Sequence, residues 1–138
     1  MESVASILDT YIDEYLAETE IPFTKREVYE STEHILPLTN NGQDVIGMFG
    51  VNMFESEYYK EKIPSIRLIY ISPKYREPKS FDKVTLFILD YLKSNGFKRV
   101  ELASNKKISN WLKKRNSRPI QYVHYGEIDY LRDNIKGD

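Results

Sequence analysis

The chain has 138 residues, of which 41% are apolar, 13% aromatic and 30% charged, and its formal net charge is −1. So many apolar residues exclude a disordered chain and so many charges exclude a membrane-embedded one, which leaves a single water-soluble domain over 1–138. Cysteine is absent and the two histidines, His34 and His124, are far apart; disulfides and thiolate chemistry are excluded, zinc is disfavoured and an intracellular setting is mildly favoured.

Charge is unevenly spread. The first 24 residues contain Glu2, Asp9, Asp13, Glu14, Glu18 and Glu20 and no Lys or Arg, whereas Leu102 to Gly126 contains no acid and includes Lys106, Lys107, Lys113, Lys114, Arg115 and Arg118. No apolar run approaches the roughly 18 residues that cross a bilayer, and the acidic N-terminus lacks the basic start of a signal peptide. The expectation is a protein neither anchored in a membrane nor secreted by a signal peptide.

Val4, Ile7, Leu8, Tyr11, Ile12, Tyr15 and Leu16 recur at three- and four-residue spacing and predict an amphipathic helix over 3–17. Thr24 with Glu27 three residues on is a capping-box pattern, which predicts a short second helix ending near Ser31. The segments 34–39 and 44–54, joined by Asn40-Asn41-Gly42-Gln43, read as a hairpin, and Gly47 and Gly50 within it suggest a bulge or a close backbone approach. A polar loop over 55–62 leads to a central strand over 65–72.

Pro73 and Pro78 bracket a rigid connection to a helix marked by Val84, Phe87, Ile88, Tyr91 and Leu92, and Gly96 followed by Phe97 fits a Schellman stop. A strand over 100–103, a helix over 106–115 with Ile108, Trp111 and Leu112 on one face, and a last strand over 120–125 complete the order α-α-β-β-β-α-β-α-β. This gives a helical segment over 1–32, a mixed sheet with helices over 33–127 and a short tail over 128–138. Helical spacing makes Trp111 a core residue, and the isolation of His34 and His124 makes them structural or exposed.

That order resembles the GNAT superfamily of acetyl-CoA-dependent N-acyltransferases. Ile71-Ser72-Pro73-Lys74-Tyr75-Arg76 is similar to the end of the family's fourth strand, V-x-P-x-Y-R; the distance from Arg76 to Gly96 fits the family's next helix; and Asn105, Ile108 and Leu112 are similar to its N-x-x-A-x-x-x-Y helix. The resemblance implies an α/β (α+β) mixed-sheet fold lacking the family's usual first strand.

Departures from the family pattern then bear on function. Where the resemblance implies a Gly-rich loop whose N–H groups hold the pyrophosphate of coenzyme A, this chain has Arg76-Glu77-Pro78-Lys79-Ser80-Phe81. Glu77 adds negative charge, Lys79 and Phe81 add bulk where the backbone approaches phosphate, and Pro78 removes a donor. The tyrosine that acts as general acid in the family aligns with Leu112, which has no proton to give. Tyr122 or Tyr125 is an alternative without a geometry that requires it, and Glu55 and Glu57 read as solvent-facing charge. The resemblance thus implies a degenerate loop with no cofactor, no metal and no assigned catalytic residue.

Three readings remain open. The first is a non-catalytic GNAT-like protein that works as an interaction or assembly component, in the cytoplasm or in a virion, since small site-eroded members of this fold resemble bacteriophage proteins. Its partners would be proteins, other copies of itself included, and its contact candidates are Asp9, Asp13 and Glu14 as exposed acids of the first helix, Tyr58 and Tyr59, and Lys106, Lys113, Lys114, Arg115 and Arg118. The second is an active N-acetyltransferase with an unusual acetyl-CoA loop. The third is a nucleic-acid-binding module using the basic patch over 106–118.

Overall fold

A computed structural model describes residues 3–20, 22–103, 118–120 and 123–136. The elements are α1 (Val4–Thr19), α2 (Lys25–Ser31), β1 (His34–Asn40), β2 (Asp44–Ser56), β3 (Glu61–Ile71), a 3-10 turn (Pro73–Tyr75), α3 (Ser80–Ser94), β4 (Arg99–Ala103), β5 (Arg118–Ile120), β6 (Val123–Glu127) and α4 (Ile128–Lys136). The six strands run in the order β1-β2-β3-β4-β6-β5. Among the described residues no strand precedes α1, and no helix is long and apolar enough to cross a membrane.

The chain divides into two compact units, residues 1–52 with 67–77, and residues 53–66 with 78–138, so β2 and β3 each contribute to both. In the first unit Ser3 caps α1 through its side chain, and Thr24 caps α2 in a complete capping box with Glu27. α1 buries Tyr11 and Ile12 against Val28, Met48, Leu68 and Tyr70. β1 and β2 pair antiparallel around Asn41 and Gly42, both at positive φ, and the register shift between Leu38 and Thr39 leaves Ile46 as the extra residue of a bulge. The close approach expected of this strand lies next to the bulge. A Cβ placed on Gly47 meets the carbonyl oxygen of Tyr70, and one on Gly50 meets Thr32 and Leu68 at 2.8 and 3.0 Å.

In the second unit β3 and β4 pair in parallel at Ser65↔Glu101 and Ile66↔Leu102, and β4 pairs antiparallel with β6. Buried Ile63, Ile66, Val84, Ile88, Leu89, Leu92 and Val100 form its interior. α3 ends as the sequence predicts: Gly96, at φ +88°, donates to Lys93 O at 3.0 Å, and the amide of Phe97 donates to Leu92 O at 3.1 Å.

Three sequence expectations need correction. The polar loop over 55–62 shrinks to a tight turn, because β2 runs to Ser56 and β3 starts at Glu61. The last strand is two, β5 and β6, paired at Pro119↔His124. The tail is the helix α4, which buries Ile128, Leu131 and Ile135 and is tied to α3 by Lys93–Asp129 and Arg132–Asp90 ion pairs, both at 2.5 Å. The helix expected over 106–115, Trp111 included, lies outside the described residues.

Two glycine substitutions separate steric from torsional cost. Gly47→Ala drives a methyl into the Tyr70 backbone, which cannot rotate away, and is expected to destabilise the fold by about 1–3 kcal/mol. Gly96→Ala meets open space and bears only the left-handed torsion, roughly 1–2 kcal/mol. Denaturant unfolding of the two variants checks both; a Gly47→Ala chain as stable as the parent would mean that β2 and β3 are not in this contact.

Candidate functional site

At the end of β3 the motif Ile71 to Arg76 is set by its own backbone. Ser72 donates to Ile46 O at 2.8 Å, extending the pairing with β2 beyond Ile71, and Pro73 opens the 3-10 turn, in which Tyr75 donates to Ser72 O at 2.9 Å and Arg76 to Pro73 O at 3.2 Å. This turn sends the Arg76 side chain back over the strand. Its Nε donates to Ile71 O at 2.8 Å, its Nη2 donates to Glu18 Oε2 at 2.7 Å, and its guanidinium stands 5.5 Å from the centroid of the Tyr70 ring. The Glu18 carboxylate holds the guanidinium still more firmly protonated than usual.

Tyr11, Glu14, Tyr15 and Glu18 recur at i, i+3, i+4 and i+7 on α1 and so share a face. Tyr70 is 4% exposed, with the Tyr11 ring at 5.8 Å and tilted, and the Tyr15 ring at 6.3 Å and edge-on. The Tyr11 hydroxyl donates to Val45 O at 2.7 Å. Burial is the largest cause pushing the phenols of Tyr11, Tyr15 and Tyr70 up, so all three stay neutral at physiological pH. Glu14 is half-buried, and its Oε2 is buried without a hydrogen-bond partner. The first unit therefore holds a buried carboxylate oxygen and neutral phenols, with the motif arginine over the Tyr70 ring. A free carboxylate oxygen of this kind accepts a proton or an N–H; the phenols donate.

In the second unit the loop expected to carry phosphate leads into α3. Lys79 is the N-cap residue, at φ −111° and ψ 22°, and gives no side-chain cap, while Asp82 lies in the first turn. Pro78 and Lys79 are exposed, and Ser80 and Phe81 half-buried. A carboxylate in the first turn already complements the positive end of the helix dipole. An incoming phosphate would meet the like charge of Asp82 in that turn, which also carries Lys79 at its cap and Lys83.

The remaining sequence candidates separate. Asp9 and Asp13 are both held by Lys25 Nζ at 2.8 Å, and Tyr29 donates to Asp9 at 2.8 Å. These bonds push the lysine up and Asp9 down. α2 thus neutralises part of the acidic helix, and Glu14, expected to be exposed, turns inward instead. Tyr58 is 74% exposed. Tyr59 is a half-buried shelf: Tyr58 packs on it edge-on at 4.8 Å, and the guanidinium of Arg99, which donates to Glu61 at 2.6 Å, stands 4.3 Å from its centroid. Sequence reading missed Arg99, Glu61 and Lys25 because their roles depend on partners distant in the chain. Arg118 begins β5; Lys106, Lys113, Lys114 and Arg115 lie outside the described residues. Among the described residues no group of three or more His, Asp or Glu side chains could hold a metal ion.

No protein-family model matches the chain, and no curated protein matches it in sequence. Solved structures do match it in fold. FeeM, an N-acyl amino acid synthase from uncultured soil microbes, superposes with a TM-score of 0.63 at 8% identity, covering 91% of each chain. Tetrahymena GCN5 gives 0.60 at 10% identity, covering 91% of this chain and 90% of that one. An acetyltransferase of the GNAT family from Staphylococcus aureus Mu50 gives 0.59 at 12% identity, covering 88% and 90%. With this strand order, and the motif turn after β3, the chain has the GNAT acetyltransferase fold.

Proposed function

We propose that this chain is a non-catalytic protein of GNAT fold that serves as an interaction or assembly component. The observation that carries the reading is the proline-interrupted entry to α3: Asp82 occupies the first helical turn, preceded by Glu77 and Pro78, where a cofactor phosphate would need bare N–H donors. Arg76 adds support, since two of its nitrogens donate to Ile71 and Glu18. Two or three missing charge-assisted hydrogen bonds, at about 1.5–3 kcal/mol each, weaken binding by orders of magnitude. By analogy of fold alone, the assembly is extended to a bacteriophage virion.

A second reading, an N-acyltransferase with an altered loop, is favoured by the buried, unpartnered Glu14 Oε2, a group suited to take a proton from an amine. Calorimetric titration with acetyl-CoA separates the two. The expected outcome is no saturable heat at millimolar cofactor. Saturable binding with micromolar affinity would reject the non-catalytic reading.

A further inference from the structure

We propose that two copies of this chain pair about a two-fold axis, the Tyr58 ring of each entering a cavity of the other; this rests on the assembly reading above and names the partner. The cavity lies where α3 ends and β4 and α4 begin. It measures about 420 Å³, with Phe97 and Ile128 as apolar lining and Lys93, Lys98, Arg99 and Asp129 among its charged residues. Clefts of this order take a drug-sized ligand, so one phenol ring has room.

The projection is preformed. In the turn between β2 and β3, the Lys60 amide donates to Ser56 O at 2.7 Å and the Tyr59 amide to Ser56 Oγ at 3.2 Å. Tyr58 stands 74% exposed at this tip, edge-on to the Tyr59 ring at 4.8 Å. An exposed ring already held by its neighbour loses little freedom on docking, and tyrosine is a common interface anchor when it fills a pocket. Arg99 makes projection and recess neighbours. Its guanidinium stands 4.3 Å from the Tyr59 centroid and its side chain lines the cavity, all within the second unit. A projection beside a recess is what a two-fold contact requires, since each copy then gives and receives the same group. Charge supplies the register. At the cavity Lys93 is paired with Asp129, and Arg99 with Glu61. The side chains of exposed Lys98, at the cavity, and exposed Glu57, beside Tyr58, have no ion-pair or hydrogen-bond partner among the described residues. Seating Tyr58 in the second copy brings Glu57 to that copy's Lys98, and the symmetry makes this pair of opposite charges twice.

The absence of cysteine makes a clean test available. Sedimentation velocity follows the parent and Tyr58→Ala chains across concentration, and Glu57→Cys and Lys98→Cys chains are prepared separately, mixed and oxidised. The parent is expected to form a concentration-dependent dimer that grows no further, and the disulfide to join chiefly one chain of each cysteine variant. Tyr58→Ala should associate at least about thirtyfold more weakly with unchanged thermal unfolding. Lys98→Glu should weaken the dimer about fivefold, and adding Glu57→Lys should recover the loss. A parent that stays monomeric, a dimer indifferent to Tyr58→Ala, or a predominant Glu57→Cys homodimer, which would set tip against tip, each overturns the proposal. A monomer that also ignores acetyl-CoA leaves the non-catalytic reading in place and removes only this contact.

Discussion

Arg76 donates from Nε to the last carbonyl of β3 and from Nη2 to Glu18 of α1, while its planar face rests on Tyr70. A guanidinium is rigid and planar, so these two bonds and the ring beneath it fix its orientation and use two of its five N–H donors. The arrangement depends on what lies beneath it. Tyr70 is seated against Tyr11 and Tyr15, and its carbonyl lies so close to Gly47 that no side chain fits at that position. The bulge at Ile46 supplies the carbonyl that receives Ser72 and lets the 3-10 turn begin. One end of one strand therefore fixes helix α1, the bulge and the motif arginine together.

The same chemistry explains why the acidic start of the chain is not simply a charged surface. Lys25 lies between Asp9 and Asp13, Glu18 takes Arg76, and Glu14 turns its carboxylate toward the tyrosines. Three of the six acids among the first 24 residues, Asp9, Asp13 and Glu18, thus serve the fold of the first unit. Beyond the first helix, exposed Glu30 is likewise paired, with Arg26 at 2.8 Å.

Much of the fold was legible in the sequence because local rules were obeyed. The three- and four-residue apolar spacing gave α1, the Thr24 and Glu27 pair gave the capping box of α2, and Gly96 with Phe97 gave the end of α3. What escaped was governed by distant partners. Glu14 has the helical spacing of Tyr11 and Tyr15, but a carboxylate at such a position reads as solvent-facing until Tyr70 is placed against it. α4 was hidden because Asp129, Arg132 and Asp133 surround Ile128, Leu131 and Ile135, whose shared face becomes a signal only when the helical period is imposed. The outer ends of β2 and β3, with Glu55, Ser56, Glu61 and Lys62, are polar because they are strand ends, and polarity alone resembles a loop.

On the proposed non-catalytic reading, the entry to α3 stands without a phosphate. Amide hydrogen exchange resolved at Arg76 through Lys83, with and without millimolar coenzyme A, tests it most directly. The same exchange rates are expected in both samples. Slowing confined to these amides in the presence of coenzyme A would contradict it, because only a ligand seated on that turn would protect them.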